Sequence, residues 1–225
     1  SIVNTDLDYL SVIHANIGGG KTDGVIEETW DQQIKIEDDG SAVAELTISR
    51  FHKGDPNDLF EKANNVDYAR VYVPAGSELI SASGFKAPAS GLFETAEDFY
   101  TPDEELARIE GKVLVDEASG TRLTQEFGKT VFGNWLQAAP GKTAQAVFKY
   151  KLPFKVLPGG YSLLIQKQAG ARPIDYTVDV SYPESWKVAW KKSVGEGVID
   201  DGVAGRLLFS GILAKDTGFA ALFTE

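Results

Sequence analysis

The chain has 225 residues, 33 acidic against 22 basic side chains for a formal charge of −11, no cysteine, and 43% aliphatic and aromatic residues. That charge repels phosphate backbones and anionic headgroups, which argues against nucleic acid as a partner, and the lack of cysteine excludes thiol catalysis, cysteine-ligated zinc and disulfides. The apolar content is too high for a disordered chain and no apolar run approaches the roughly 18 residues that cross a bilayer, so a soluble globular fold is expected.

In chain order, Asp8 to Ile17 reads as a first strand, and Glu28 to Glu37 with Ser41 to Phe51 as two more. Asp38-Asp39-Gly40 between them is a hairpin signal, because a tight reversal needs the positive φ that glycine adopts without strain. Asp55-Pro56-Asn57-Asp58 reads as a helix start carrying Leu59 to Ala63. Asp67 to Val73 and Glu78 to Ala82 follow as strands around the Pro74-Ala75-Gly76 turn. Thr101-Pro102-Asp103-Glu104 has a hydroxyl at the cap, proline at the first helical position and glutamate at the third, which predicts a short helix over Glu105 to Ile109.

Next come Val113 to Val115, Thr121 to Phe127, Thr130 to Gln137 and, beyond the Pro140-Gly141 turn, Thr143 to Leu152. In the last of these Ala144, Ala146, Phe148, Tyr150 and Leu152 share one face, the two-residue period of a half-buried strand. Leu157-Pro158-Gly159-Gly160 is the densest proline and glycine cluster between two strands and reads as a domain boundary. Tyr161 to Gln168, Ile174 to Tyr182, Trp186 to Trp190, Gly205 to Leu213 and Phe219 to Phe223 complete the strands. The expected fold is all-β: an immunoglobulin-like antiparallel sandwich over residues 1–155 and a smaller β unit over residues 156–225.

Candidate chemistry is sparse. Ala15 to Thr22 fits a relaxed phosphate-loop pattern, with Val113 to Asp116 as its acidic strand, but a working loop needs a helix start behind a parallel strand, and the surroundings read as hairpins. His14 and His52 each sit in a strand, and no serine lies in a nucleophile elbow, so both histidines read as ordinary strand residues. The acidic pairs Glu104-Glu105, Asp38-Asp39 and Asp200-Asp201 have the composition of a glycosidase's two carboxylates and equally of solvated loops. Asp55, Asn57 and Asp58 form an oxygen-rich loop suited to calcium, though helix capping explains the same residues. Trp186, Val188 and Trp190 fall on one face of a strand, where the two tryptophans would stack on sugar rings if exposed or fill a core if buried. Lys129, Lys149, Lys151 and Lys155 add local positive charge, and Lys21, Lys129 and Asn134 are candidates for a lysine-asparagine isopeptide crosslink. No catalytic constellation and no cofactor site emerges.

The wording of Tyr9 to Asp23 (YLSVIHANIGGGKTD), Val66 to Gly84 (VDYARVYVPAGSELISASG), Ser119 to Leu136 (SGTRLTQEFGKTVFGNWL), Pro140 to Phe154 and Tyr161 to Gly170 (YSLLIQKQAG) resembles the carboxy-terminal part of the bacterial family called domain of unknown function 4012. The resemblance implies a protein that faces outward from the membrane, anchored by a segment outside this chain, and it implies no catalytic or binding residues. The chain begins at Ser1 with neither methionine nor signal peptide, which reads as a mature form or a domain of a longer protein. The expectation is therefore an extracytoplasmic, cell-surface, non-enzymatic module with a structural or adhesive role, its partner an envelope protein or polysaccharide. A carbohydrate-binding or carbohydrate-active sandwich is the competing reading.

Overall fold

Alternating side chains on both sides of Asp38-Asp39-Gly40 close into the longest hairpin, β2 (Ile26–Ile36) with β3 (Ser41–His52), registered from Ile26 opposite His52 to Ile36 opposite Ala42. Gly40 has φ +81° in that turn, and a Cβ there would stand 2.6 Å from the Val156 carbonyl oxygen, so only glycine fits. The computed structural model describes residues 2–3, 5, 7–17, 20–93, 97, 99–101 and 103–225.

The remaining strands are β1 (Asp8–Asn16), β4 (Asn65–Pro74), β5 (Glu78–Ser83), β6 (Leu114–Val115), β7 (Arg122–Glu126), β8 (Lys129–Ala138) and β9 (Thr143–Lys155). After these come β10 (Tyr161–Gln166), β11 (Ile174–Ser181), β12 (Lys187–Val194), β13 (Val198–Asp200), β14 (Arg206–Leu213) and β15 (Thr217–Thr224). A four-residue 3-10 turn, Thr22–Val25, precedes β2, and one helix, α1 (Glu104–Glu110), precedes β6. The chain is all-β and forms two packed sheets: eight strands in the order β12-β15-β10-β1-β4-β8-β7-β6, and seven in the order β13-β14-β11-β2-β3-β9-β5.

The sheets are mixed rather than wholly antiparallel. Among the described residues two pairs run parallel, β1 with β10 and β2 with β11, and they form a seam through both layers. Residues 161–224 supply strands to both sheets on one side of that seam, and the earlier strands lie on the other. Strands that meet far apart in sequence have no hairpin to force antiparallel pairing. The Leu157–Gly160 segment carries the chain from β9 in one sheet to β10 in the other, and Val156 N–H donates to the Gly40 carbonyl at 2.8 Å.

Inward-facing side chains fill the space between the sheets. In β9, Ala144, Ala146, Phe148, Tyr150 and Leu152 are buried, as their alternation predicts. Phe132 of β8 meets Phe148 and Tyr150 of β9 across the layers, with ring centroids 6.3 and 5.7 Å apart. On the other side of the seam Phe209 of β14 meets Phe219 of β15 at 4.9 Å. One continuous cluster of buried side chains spans both sides, and each large apolar side chain removed from water adds roughly 1.5–3 kcal/mol.

Three local expectations need correction. Residues 55–62 are successive turns rather than helix: Asp55 and Asp58 accept from Asn57 N–H and Phe60 N–H, so their side chains compete with a helical ladder. The cap of α1 is Asp103 and not Thr101, its Oδ1 accepting from Glu105 and Leu106 N–H at 2.9 Å each, and Pro102 lies outside the described residues. A bulge between Val188 and Trp190 breaks the alternation of β12, so Trp190 does not share a face with Trp186 and Val188.

Candidate functional site

Four inner-face positions near one end of the seam carry ionisable side chains in strands whose inner faces are mostly apolar. His14 continues the inward series Leu10, Val12 of β1, Glu28 lies between Ile26 and Trp30 of β2, Arg50 follows Leu46 and Ile48 of β3, and Asp67 precedes Ala69 and Val71 of β4. These strands adjoin in the two sheets, so the four side chains converge under a cavity of about 650 Å³. Its walls include Val12, Ile26 and Ile174, and residues 168–175 from beyond the seam form its far side. Clefts between chain segments are where ligand sites are most often found.

The cluster is closely connected. His14 Nδ1 lies 2.6 Å from Asp67 Oδ2 and Nε2 lies 2.9 Å from Glu28 Oε1, which also accepts from the Trp30 indole N–H at 2.5 Å. Arg50 Nη1 donates to Asp67 Oδ2 at 3.0 Å, lies 3.3 Å from Glu28 Oε2 and contacts His14 Nδ1. Its Nη2 donates at 3.2 Å to both Asp23 Oδ1 and Asn65 Oδ1. Asn65 in turn donates to Asp23 Oδ1 at 2.8 Å and Thr22 Oγ1 at 3.2 Å, which ties the 3-10 turn to β4. Arg50 is 3% exposed and Asp67 is fully buried.

Burial opposes the charge on His14, as does Arg50, yet Glu28 and Asp67 together outweigh them and push the imidazole up to about 9. Burial likewise works against the Glu28 carboxylate, but His14, Arg50 and the Trp30 indole hold it down to about 2. At neutral pH His14 is therefore an imidazolium and Glu28 a carboxylate, each fixed by the other. A general acid or base works best with a pKa near the operating pH, which neither group has.

A side chain extends the seam at this point. Backbone pairing of β1 with β10 ends at Ser11 opposite Gln166. Beyond it the Gln168 amide takes the place of a strand, with Oε1 accepting from His14 N–H at 2.9 Å and Nε2 donating to the His14 carbonyl at 3.1 Å. The residue bearing the imidazolium is thus clamped through its own backbone.

A second buried polar group lies at the opposite end of β1. Asp8 is 1% exposed, its Oδ1 accepts from Tyr9 N–H at 2.8 Å, and its Oδ2 accepts from the Tyr161 hydroxyl across the seam. Burial pushes this carboxyl up to about 7, against the pull of both hydrogen bonds. Gln32 Nε2 donates to the Tyr150 hydroxyl at 2.9 Å nearby in the core.

His14, expected to be an ordinary strand residue, is instead held in this cluster by Glu28 and Asp67; the other main candidates from the sequence lie elsewhere. Asp55, Asn57 and Asp58 are exposed, and the two carboxylates accept from turn amides; among the described residues no group of three His, Asp or Glu is disposed to hold a metal ion. Trp186 is 6% exposed and packs on Phe223, whereas Trp190 is 46% exposed, so the pair makes no shared stacking platform. His52 is buried and ordinary: Nε2 meets the Ala63 carbonyl at 3.0 Å and Nδ1 accepts from Gly54 N–H at 3.1 Å. Lys129 is buried beneath the Tyr9 ring, and Asn134 lies five residues along the same strand, about 17 Å away, so these two cannot crosslink. In the phosphate-loop pattern Gly18 and Gly19 lie outside the described residues. Ala15 lies inside β1, one residue before its end, Lys21 adopts φ +51°, and a 3-10 turn follows where an α-helix would be needed. Its supposed acidic partner, Asp116, follows β6 at the sheet edge and accepts from Ser119.

No family model matches the chain, and no curated protein matches it. Among solved structures it is similar to a provisionally assigned nutrient binding protein of Legionella pneumophila, at 9% identity and a TM-score of 0.48, over 96% of this chain and 71% of that one. It is also similar to an M1 zinc metallopeptidase of Deinococcus radiodurans, at 11% identity and a TM-score of 0.35, over 87% of this chain and 42% of the peptidase. Likeness at this level assigns neither activity nor ligand.

Proposed function

We propose that this chain is a non-catalytic β-sandwich module that acts by bearing on a partner at the cell envelope, outside the membrane, as its resemblance to the domain of unknown function 4012 family implies. The observation that carries the non-catalytic part is the mutual engagement of His14, Glu28, Asp67 and Arg50. The groups with the composition of a catalytic set are tied to one another in the floor of the cavity, and the raised pKa of His14 and the lowered pKa of Glu28 are far from neutral pH. A network of this kind rigidifies a junction and fixes the relation of the strands that meet there. The envelope location rests on the resemblance; among the described residues no helix is long and apolar enough to cross a membrane.

Two measurements test the reading. Purified chain should co-sediment with isolated bacterial cell-wall polysaccharide or with envelope protein fractions. It should also show no saturable hydrolysis of ester, peptide, glycoside or phosphate chromogens. A saturable rate that disappears in Glu28→Gln while the fold persists would establish an enzyme instead. Failure to bind any envelope fraction would remove the display role.

A further inference from the structure

The two edge strands of the eight-stranded sheet differ in the charge they carry. At one end stands β6, where Leu114 and Val115 are 52% and 58% exposed. Residues 103–117 around it hold six carboxylates against two cations, Arg108 and Lys112. The helix within that stretch, α1, buries none of its side chains. At the other end stands β12, which carries Lys187, Lys191 and Lys192 and no acid within the strand, Glu184 and Glu196 standing beyond its two ends, with Trp190 and Val194 exposed beside the lysines. Asp201 holds Lys191, while Lys187 and Lys192 are exposed without a carboxylate partner among the described residues.

A sheet edge presents unpaired backbone donors and acceptors, and charge on it deters pairing with an edge of the same sign. That guard fails against an edge of opposite sign. We propose that copies of this chain associate head to tail, the acidic β6 edge and α1 of one copy docking on the lysine-bearing β12 edge of the next. The contact joins two different surfaces, so it leaves a free edge of each kind and extends into open chains rather than closing as a dimer. Strand addition would supply backbone hydrogen bonds, and the exposed Leu114, Val115, Trp190 and Val194 would supply apolar area. The net charge of −11 opposes approach at long range. Moderate salt screens that repulsion between distant centres more than it weakens charges in contact. The inference is independent of the display reading, since either a display module or an enzyme could assemble this way.

Sedimentation velocity of the whole chain from about 10 µM to about 1 mM, in about 0.1 M salt, tests it. The mass should rise with concentration past that of a dimer. Glu104→Lys with Glu117→Lys, and separately Lys187→Glu with Lys192→Glu, should each remain monomeric. An equimolar mixture of the two variants should recover the association of the parent, which also demonstrates that both are folded. Asp31→Lys with Asp38→Lys changes net charge as the first variant does but lies away from both edges, and should associate at least as well as the parent. A parent monomeric throughout, a single variant that associates like the parent, or a mixture that stays monomeric would each overturn the proposal.

Discussion

Replacing Asp8 by asparagine removes a buried negative charge while keeping the shape of the side chain, and the Tyr161 hydroxyl can turn to accept from the new amide. In the fold burial raises this carboxyl from 3.8 to about 7. Between those two pH values the folded state holds more protons than the unfolded state, so stability falls as pH rises from near 4 to near 7 and is level above. At about 1.4 kcal/mol per pH unit the loss reaches about 4 kcal/mol, a large part of a typical domain's stability. Urea unfolding followed by tryptophan fluorescence, run at half-unit steps, measures it directly. Asp8→Asn should match the parent near pH 4 and exceed it by about 4 kcal/mol at pH 8, with the difference between the two proteins cancelling every other titrating group. A difference that does not change with pH would show that Asp8 ionises without cost, and the account of a desolvated carboxylate at the seam would be wrong.

The ionic cluster makes its own predictions. Arg50→Met strands Glu28 and Asp67 without their guanidinium and should cost about 3–5 kcal/mol in the same urea assay, with part recovered when Asp67→Asn is added. The His14 contribution, with its folded value raised to about 9, is complete below 6.5 and is lost as pH rises through 9. The Glu28 contribution, with its folded value lowered to about 2, is complete above 4.5 and is lost as pH falls through 2. The imidazole resonances of His14 should therefore stay at their protonated position at pH 8, where an ordinary histidine is neutral. Gln168→Ala leaves the His14 N–H and carbonyl without their partner and should cost about 1–3 kcal/mol, with hydrogen exchange at the His14 amide speeding accordingly.

Much of the layered fold was legible because side-chain direction in a strand follows from position alone. The β2–β3 hairpin lies where Asp38-Asp39-Gly40 places it, and the buried face of β9 is the predicted set from Ala144 to Leu152. Trp190 was misplaced because a bulge, which no periodicity announces, shifts β12 by one residue past Val188. The parallel seam was invisible for a different reason: β1 and β10 meet across more than a hundred residues, and alternation says which way a side chain faces without saying which strand lies beside it.

The cluster sits at the boundary between those two kinds of information. His14, Glu28, Arg50 and Asp67 all occupy inward beats of strands whose other inward beats are mostly apolar, Asp8, Gln32, His52 and Asn65 being the polar exceptions, and that much could be read from the chain. A charge on such a beat must either force its strand out of phase or find an opposite charge in the interior, because a lone buried ion is too costly to keep. Neighbouring beats stay buried in all four strands, Val12, Ile26, Trp30, Ile48 and Ala69 among them, which removes the first possibility. Two cations and two carboxylates at the same end of adjoining strands can then neutralise one another, and the structure does so with His14 between Glu28 and Asp67 and Arg50 across both.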